Sequence, residues 1–196
     1  MTPDVFWGNI FKIKSKKDTL YYFLKSNPLF DGFSSRDIKN IGKIVHLRRF
    51  KKDEIIFKED EPGTGMYVIR TGSVRITKHK KKEGGDSEEE VITMLKQNDF
   101  FGELALVEKT RFPRTASAYA DNECELIGFF KPDLLELVER NPRLGVKIVL
   151  RIAEIIGSRL RTTTELLTER TEETKRLRPA PQQDEKEPIS PIWNKT

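Results

Sequence analysis

The segment that most constrains this chain reads F-G-E-L-A-L, at residues 101–106. Gly102 permits a backbone conformation or a close approach that a side chain would prevent. The residues after it favour a short helical turn, whose first N–H groups have no partner within the helix and attract anions. Glu103, when ionised, only accepts hydrogen bonds, which suits a sugar hydroxyl. Arg114 follows and offers a planar set of donors that matches a phosphate. The segment therefore predicts a site that holds a nucleotide by its ribose and its phosphate.

These residues resemble the phosphate-binding cassette of the cyclic nucleotide-binding domain family, F-G-E-x-A-L, a variable gap, then R-[ST]-A. A second block typical of that family appears upstream, within residues 55–72. The resemblance implies an α+β fold, a double-stranded β-helix (jelly-roll) barrel with flanking N- and C-terminal helices. It also implies that Glu103 contacts the ribose 2′-hydroxyl and that Arg114 contacts the exocyclic oxygens of the cyclic phosphate. The candidate ligand-binding residues are Phe101, Gly102, Glu103, Leu104, Ala105, Arg114, Thr115 and Ala116.

Composition argues against several other classes of protein. The chain has 36 basic and 31 acidic residues, a mild excess that does not by itself indicate nucleic-acid binding. The one cysteine, Cys124, excludes an internal disulfide and fits a reducing compartment. The two histidines, His46 and His79, are far apart and do not predict a metal site. With no nucleophile–base set either, we predict a protein that is not an enzyme and binds no metal.

The chain is predicted to contain three parts: an N-terminal helical segment at 1–27, a cyclic nucleotide-binding domain with its C-terminal helices at 28–168, and a disordered, charged and proline-rich tail at 169–196. The first part mixes aromatic residues with lysines. It fits either helices that lie on the barrel or on a partner subunit, or an anchor at a membrane surface. With no apolar run of about 18 residues and no secretory signal, a cytoplasmic protein is expected.

Local patterns predict most of the elements. Ser34 or Ser35 caps a helix that carries isoleucines at helical spacing, and residues 46–96 have the alternation of strands. Asp60 stands where the family usually has glycine, and aspartate tolerates a left-handed turn. Residues 78–90, a basic run followed by an acidic run, are interpreted as a long mobile hairpin loop whose two arms partly neutralise each other. Asn141 and Pro142 end one C-terminal helix and start the next.

The predicted function is a non-catalytic sensor, in which a cyclic nucleotide shifts the population toward a closed arrangement of the cassette and the C-terminal helices. Cyclic AMP is favoured over cyclic GMP, although Thr115 resembles a threonine that cyclic GMP-selective domains use. No DNA-binding segment follows the last helix, so the downstream effector is an unknown protein. The alternative is an interaction or scaffold module with this fold that does not bind nucleotide.

A homodimer is also predicted, built on the helix from Arg143 to about Leu167. Its apolar stripe is wider than packing on one barrel requires. The predicted stripe consists of Val149, Ile152, Ile156 and Leu160, widened by Ile148 and Ile155. The competing interpretation is that the N-terminal aromatic residues Phe6, Trp7 and Phe11 fold back onto this face and leave a monomer.

Overall fold

The structure, a computed structural model, describes residues 16–81, 87–107 and 113–177. Eight strands form two four-stranded antiparallel sheets, in the orders β1-β8-β3-β6 and β2-β7-β4-β5. The helices are α1 (Lys16–Ser26), a 3-10 turn (Pro28–Phe30), α2 (Ser35–Ile41), α3 (Leu104–Val107), α4 (Lys131–Arg140) and α5 (Pro142–Leu177). The strands are β1 (His46–Phe50), β2 (Ile55–Phe57), β3 (Gly65–Thr71), β4 (Val74–Lys81), β5 (Ser87–Leu95), β6 (Phe100–Phe101), β7 (Ser117–Ala120) and β8 (Cys124–Phe130).

The two sheets enclose one apolar core, as the predicted jelly-roll barrel with flanking helices requires. Both sheets contribute buried side chains to it, namely Ile69, Val74, Phe101, Ala118, Ala120, Cys124 and Leu126. The pairing of β3 and β8 places Tyr67 opposite Gly128, and any side chain on Gly128 would press on the rings of Tyr67 and Phe130. The α+β jelly-roll prediction is confirmed.

The N-terminal helices are held against the start of α5, within the compact unit Met1–Ala153. Ile148 and Ile152 line an apolar groove together with aromatic residues that follow α1. On the same helix, Arg151 donates to the carbonyl of Pro28 (2.8 Å), and Lys147 donates to the carbonyl of Gly32 (2.9 Å). Two cations one turn apart on α5 therefore bind carbonyls of the 3-10 turn and of the loop after it.

Local signals placed several element ends correctly. Ser34 caps α2 in a capping box with Asp37, and α4 ends one residue before Asn141. Asp60 has a φ of +66°, the left-handed conformation expected there. The helix α2 ends earlier than its isoleucine spacing predicts: Ile41 is its last residue, and Gly42 follows.

The predicted loop at 78–90 is wrong for its described part, because β4 runs to Lys81 and β5 begins at Ser87. Cross-strand pairing sets Lys78 opposite Glu90, His79 opposite Glu89 and Lys80 opposite Glu88. The basic and acidic runs therefore neutralise each other as neighbours across a two-stranded ribbon, and that pairing favours strands over an open loop. We call this part, residues 78–81 and 87–90, the β4–β5 ribbon.

Two expectations about the C-terminal helix also change. The helix α5 continues to Leu177, so the proposed boundary at residue 168 falls inside it, because residues 168–177 consist largely of good helix formers. Ile148 and Ile152 are 3% and 2% exposed, so these two members of the predicted dimer stripe are already buried within the chain. The N-terminal aromatic residues and the tail from residue 178 lie outside the described residues.

Candidate ligand-binding site

Gly102 forms the corner of the cassette, between β6 and α3. Its φ is +78°, in the left-handed region that favours glycine. A Cβ atom there would lie 2.6 Å from Nη1 of Arg114 and 3.1 Å from the carbonyl oxygen of Gly65. Glycine is therefore required at position 102 both for the turn and for the space that the arginine occupies.

Arg114 is held in this corner by backbone carbonyls. Its Nη1 donates to the carbonyl of Gly102 (3.1 Å), and its Nη2 donates to the carbonyl of Gly65 (2.7 Å). The guanidinium carbon lies 4.1 Å from the ring centroid of Phe57, close enough for a cation–π interaction. Because the guanidinium is planar, two bonds and a ring face fix its orientation.

The backbone of Arg114 is also fixed. Its N–H donates to the carbonyl of Glu61 (2.8 Å), and its carbonyl accepts from the N–H of Asp60 (2.9 Å). An isolated β-bridge joins Pro62 to Pro113 beside these bonds. The left-handed turn at Asp60 is thus what brings the 58–62 segment alongside the arginine.

Glu103 is buried at the start of α3, with 8% of its surface exposed. The turn around it is closed by two backbone bonds, from Ala105 to Gly102 (3.3 Å) and from Leu106 to Glu103 (3.0 Å). Removing a carboxylate from water is costly unless polar partners replace the water. A buried acid beside a braced arginine is consistent with the predicted pair of ribose and phosphate contacts.

The other candidate residues divide into packing and surface positions. Phe101 and Ala105 are 5% and 7% exposed and form the wall behind the cassette. Ala116 is half-buried, whereas Thr115 is exposed. Leu104 is 39% exposed, so its side chain covers little of the core. The structure thus brings the cassette and Arg114 together, with Thr115 and Ala116 leading from the arginine into β7.

An aromatic cluster lies under the arginine. Tyr67 stacks on Phe101 with centroids 5.6 Å apart and on Phe57 with centroids 6.4 Å apart. Burial raises the pKa of the Tyr67 phenol, while the positive charges of Arg114 and Arg48 oppose that rise. The phenol is therefore neutral at physiological pH, and the cluster is apolar except for the hydroxyl group of Tyr67.

Sequence reasoning missed what braces the arginine. Phe57 and Gly65 belong to the block within 55–72 that resembles the family, but nothing in the pattern marks them as contacts of Arg114. Ser117, one strand position beyond the cassette, was also missed: its hydroxyl accepts from the N–H of Glu59 (2.9 Å). These contacts join residues about fifty positions apart and depend on the closed barrel, so no local spacing could have revealed them.

Other kinds of site are not found in the part of the chain that is described. Among residues 16–81, 87–107 and 113–177, no three histidine, cysteine or acidic side chains are grouped to hold a metal ion. Burial raises the pKa of the Cys124 thiol to about 11, so it is a poor nucleophile. Across the same residues, no helix has the length and apolar character needed to cross a bilayer.

Sequence comparisons with known proteins are consistent with the kind of site that the geometry indicates. Residues 47–141 match the model of the cyclic nucleotide-binding domain. The chain is 28% identical over 138 residues to the cyclic AMP receptor protein of Thermus thermophilus, covering 70% of this chain and 59% of that protein. It is 32% identical over 112 residues to the cAMP-dependent protein kinase regulatory subunit of Mycosarcoma maydis, covering 57% of this chain and 20% of that protein. The chain thus spans between a fifth and three fifths of these two relatives.

Solved structures give a matching fold. The crystal structure of the Thermus thermophilus catabolite activator protein superposes with a TM-score of 0.61 and 27% identity, over 74% of this chain and 63% of that one. A cyclic nucleotide-binding domain from Methylobacillus flagellatus superposes with a TM-score of 0.64 and 20% identity, over 79% of this chain and 83% of that one. The second likeness concerns the fold alone.

Proposed function

Because residues 47–141 belong to the cyclic nucleotide-binding domain family, we propose that this chain is a non-catalytic sensor that binds a cyclic mononucleotide in the 101–116 cassette. Arg114 binds the exocyclic oxygens of the cyclic phosphate, and Glu103 accepts from the ribose 2′-hydroxyl. The observation that carries the proposal is the bracing of Arg114 by the carbonyls of Gly102 and Gly65 beside a buried Glu103. A donor held in place before the ligand arrives loses little side-chain entropy on binding.

Cyclic AMP is the proposed ligand, with cyclic GMP as the weaker one. Two relatives are named for cyclic AMP, the receptor protein and the kinase regulatory subunit. Thr115 is exposed at the cassette, where its hydroxyl is available to a base as well as to solvent. We expect Thr115→Ala to weaken cyclic GMP binding selectively; an equal loss for both nucleotides in parallel titrations would remove Thr115 as a discriminator.

Thermal unfolding separates the sensor from the alternative, a scaffold module that has this fold but does not bind nucleotide. A ligand at about 100 times its dissociation constant stabilises the folded state by about 2.7 kcal/mol. We therefore expect cyclic AMP to raise the unfolding temperature of the full chain by several degrees and linear 5′-AMP to leave it unchanged. A chain whose unfolding temperature responds to neither cyclic AMP nor cyclic GMP is the scaffold.

The output of binding is a closed arrangement of the cassette and of the helices from Asp133 onward, passed to an effector protein in the cytoplasm. The chemistry of the site supports a regulatory rather than a catalytic role: Arg114 and Glu103 are suited to hold a phosphate and a hydroxyl.

A homodimer through α5 remains the proposed assembly, but the residues expected to form its contact, which we call the seam, differ from the predicted stripe. In the first turns of α5, Val146, Val149 and Leu150 are 54%, 37% and 59% exposed, on the side away from the buried Ile148 and Ile152. The sequence continues the exposed side at seven-residue steps, the repeat of a coiled coil. The seam consists of Val146, Val149, Ala153, Ile156, Leu160, Thr163 and Leu167.

The threonine in this seam is compatible with burial. The hydroxyl of Thr163 donates to the carbonyl of Arg159 (2.9 Å). This donor is satisfied within the helix, so burying the threonine methyl group leaves no unmet hydrogen bond. We expect Leu160→Glu with Leu167→Glu to halve the mass in light scattering and Ser158→Glu with Thr162→Glu to leave it unchanged. A parent chain at 22.8 kDa at every concentration would contradict the dimer.

A further inference from the structure

The net positive charge of the chain is concentrated in one short stretch. Residues 36–52 contain seven basic residues and one acid, a net charge of +6, whereas the whole chain has +5. All seven basic side chains are exposed. They are Arg36, Lys39, Lys43, Arg48, Arg49, Lys51 and Lys52. Arg48 lies on the same side of β1 as Phe50, and its charge acts on Tyr67; the other six, on α2, β1 and the turns after them, are called the basic face. The rest of the chain is close to neutral, so the excess positive charge belongs to this stretch.

The charge on the basic face is partly cancelled by local acids. In the turn that ends it, the carboxylate of Glu54 accepts from the N–H of Lys51 (2.8 Å), whereas Asp53 pairs with Arg75 (2.7 Å), outside the face. The acid within it, Asp37, binds elsewhere: its carboxylate accepts from the N–H of Ser34 (3.0 Å) and lies 3.3 Å from the ammonium of Lys147. Among the described residues, Arg49 is the one member of the seven that forms an ion pair, with Glu125 (3.0 Å), and its side chain is still 69% exposed. A dense, exposed and largely uncompensated positive surface attracts polyanions at long range.

An exposed leucine lies among these cations. Leu47 and Arg49 are two residues apart on β1 and therefore point to the same side of the strand. Leu47 is 40% exposed, although β1 pairs with β8 along its whole length. Because Leu47 and Arg49 are both exposed, this side of β1 meets solvent. An apolar side chain surrounded by cations matches the boundary between lipid headgroups and acyl chains.

The same surface lacks what single-stranded nucleic acid requires. Bases bind proteins largely by stacking on exposed aromatic rings. Phe50 is one aromatic residue of the 36–52 stretch, and its ring is turned into the barrel, where it meets Tyr67 edge-on with centroids 6.5 Å apart. The other aromatic ring of this stretch, that of His46, packs against Phe130 with centroids 5.5 Å apart and lies 3.1 Å from the carboxylate of Asp133. Leu47, by contrast, is an exposed aliphatic side chain in the same stretch.

From the charge, the exposed Leu47 and the inward Phe50, we propose that the basic face docks the domain on an anionic lipid bilayer. The lipid phosphates and carboxylates contact the cations, and Leu47 enters the interface. The contact is peripheral and depends on salt, because it rests on exposed charges. It is independent of the nucleotide site, since none of the seven cations belongs to the cassette.

Vesicle sedimentation with the full chain tests this proposal. We expect binding to phosphatidylcholine vesicles that contain 30 mol% phosphatidylserine, and none to phosphatidylcholine alone. Each cation at an anionic surface contributes about fivefold in affinity. Replacing Lys39, Lys43, Lys51 and Lys52 by glutamine should therefore weaken binding at least about a hundredfold, while replacing all four by arginine should preserve it. Circular dichroism confirms that each variant folds.

A matched control removes the same charge elsewhere. Lys78, Lys96, Arg143 and Arg161 are also exposed, and changing these four to glutamine should alter vesicle binding less than threefold. Leu47→Ser should weaken it about threefold, from the loss of a small apolar area. An equal loss in the control and the basic-face variant would overturn the proposal, because net charge alone would then explain binding.

Three further results would also overturn it. If the chain bound a 20-base-pair DNA duplex more tightly than the vesicles, and only the basic-face variant lost that binding, the face would be a nucleic-acid site. If replacing Phe6, Trp7 and Phe11 by alanine abolished vesicle binding while the basic-face variant kept it, the contact would belong to the N-terminal segment. Unchanged vesicle binding in both variants would equally contradict a docking role for this face.

Discussion

The cassette and the β4–β5 ribbon both carry charged side chains, but they hold them in different ways. In the cassette, Arg114 is fixed by two backbone carbonyls and a ring face, next to a glutamate that is 8% exposed. In the ribbon, the ammonium of Lys80 lies 3.6 Å from the carboxylate of Glu90, with side chains 74% and 57% exposed. The cassette charges have fixed positions, whereas the ribbon charges remain free to exchange their partner for water.

From this difference we expect the cassette charges, rather than the ribbon charges, to contribute to nucleotide binding. An exposed ion pair gains little, because water and salt screen it and both side chains lose freedom. A charge oriented by the backbone and partly removed from water interacts more strongly with a ligand of opposite charge. Counts of charged residues treat the two regions alike, and only the contacts distinguish them.

The largest effect is expected from Arg114→Ala. A charge-assisted hydrogen bond contributes roughly 1.5–3 kcal/mol, so the loss should weaken cyclic AMP about tenfold to a hundredfold or more, and abolish binding at micromolar ligand. Arg75→Ala is the matched control, because Arg75 also lies over a ring (Tyr119, 5.1 Å) and bonds an acid, yet stands outside the cassette. Equal affinities of the Arg114 variant and the parent in calorimetry would remove the arginine from the site.

Gly102→Ala should have the next largest effect. The added methyl group would strain a residue with φ of +78° and press on Nη1 of Arg114. We expect stability to fall by about 1–2 kcal/mol and cyclic AMP affinity to fall about tenfold. Gly157→Ala provides the control: no atom lies within 4 Å of its would-be Cβ, and alanine favours the helix. A Gly102 variant as stable and as tight-binding as the parent would show that the corner is not needed to place the arginine.

Glu103→Gln should weaken binding less than Arg114→Ala does, because a neutral oxygen still accepts from the ribose hydroxyl. A loss of about threefold to tenfold is expected in the same titrations. The 2′-deoxy form of cyclic AMP, which lacks that hydroxyl, should bind the parent and this variant alike. If Glu103→Gln lost more affinity than Arg114→Ala, the two roles would be misassigned.

The smallest effect is expected in the ribbon. Lys80→Ala should change the free energy of unfolding by about 0.5 kcal/mol or less and leave cyclic AMP affinity unchanged.

A pH dependence is also expected in the ribbon, because the hydrogen bond from Thr77 lowers the pKa of Glu89. The contribution of the ionised Glu89 to stability is therefore present at neutral pH and is lost as the pH falls through that lowered pKa. Urea unfolding of the parent and of Glu89→Gln should therefore differ most at neutral pH and converge in acid. If a ribbon variant weakened nucleotide binding as much as a cassette variant does, the proposed difference between the two regions would be contradicted.

Local signals in the sequence predicted much of the fold and of the candidate site. The cassette pattern placed Gly102 at a left-handed corner and Arg114 beside it, and a serine–aspartate pair marked the start of α2. Each of these features is decided within a few residues. The family resemblance also predicted the fold class correctly, because the described residues of the two blocks that carry it, within 55–72 and 101–116, lie in strands, turns and the short helix α3 of the barrel.

What escaped prediction depends on distant contacts. The carbonyl of Gly65, 49 positions from Arg114, becomes its acceptor only when the barrel closes. The spacing of apolar residues on α5 could not separate the side that the N-terminal helices cover, with Ile148 and Ile152, from the side left exposed. The sequence predicted that the charges of the two arms neutralise each other, but not that the arms continue as paired strands, because that depends on the register of β4 and β5.

The central claim is that the braced arginine and the buried glutamate form a working nucleotide site. Isothermal titration of the parent chain with cyclic AMP and with cyclic GMP tests it most directly. We expect one ligand per chain, micromolar affinity or better, and tighter binding of cyclic AMP. If neither nucleotide gave binding heat at millimolar concentration, about a thousandfold above the expected dissociation constant, the account would be contradicted. The binding free energy would then be weaker than expected by about 4 kcal/mol or more.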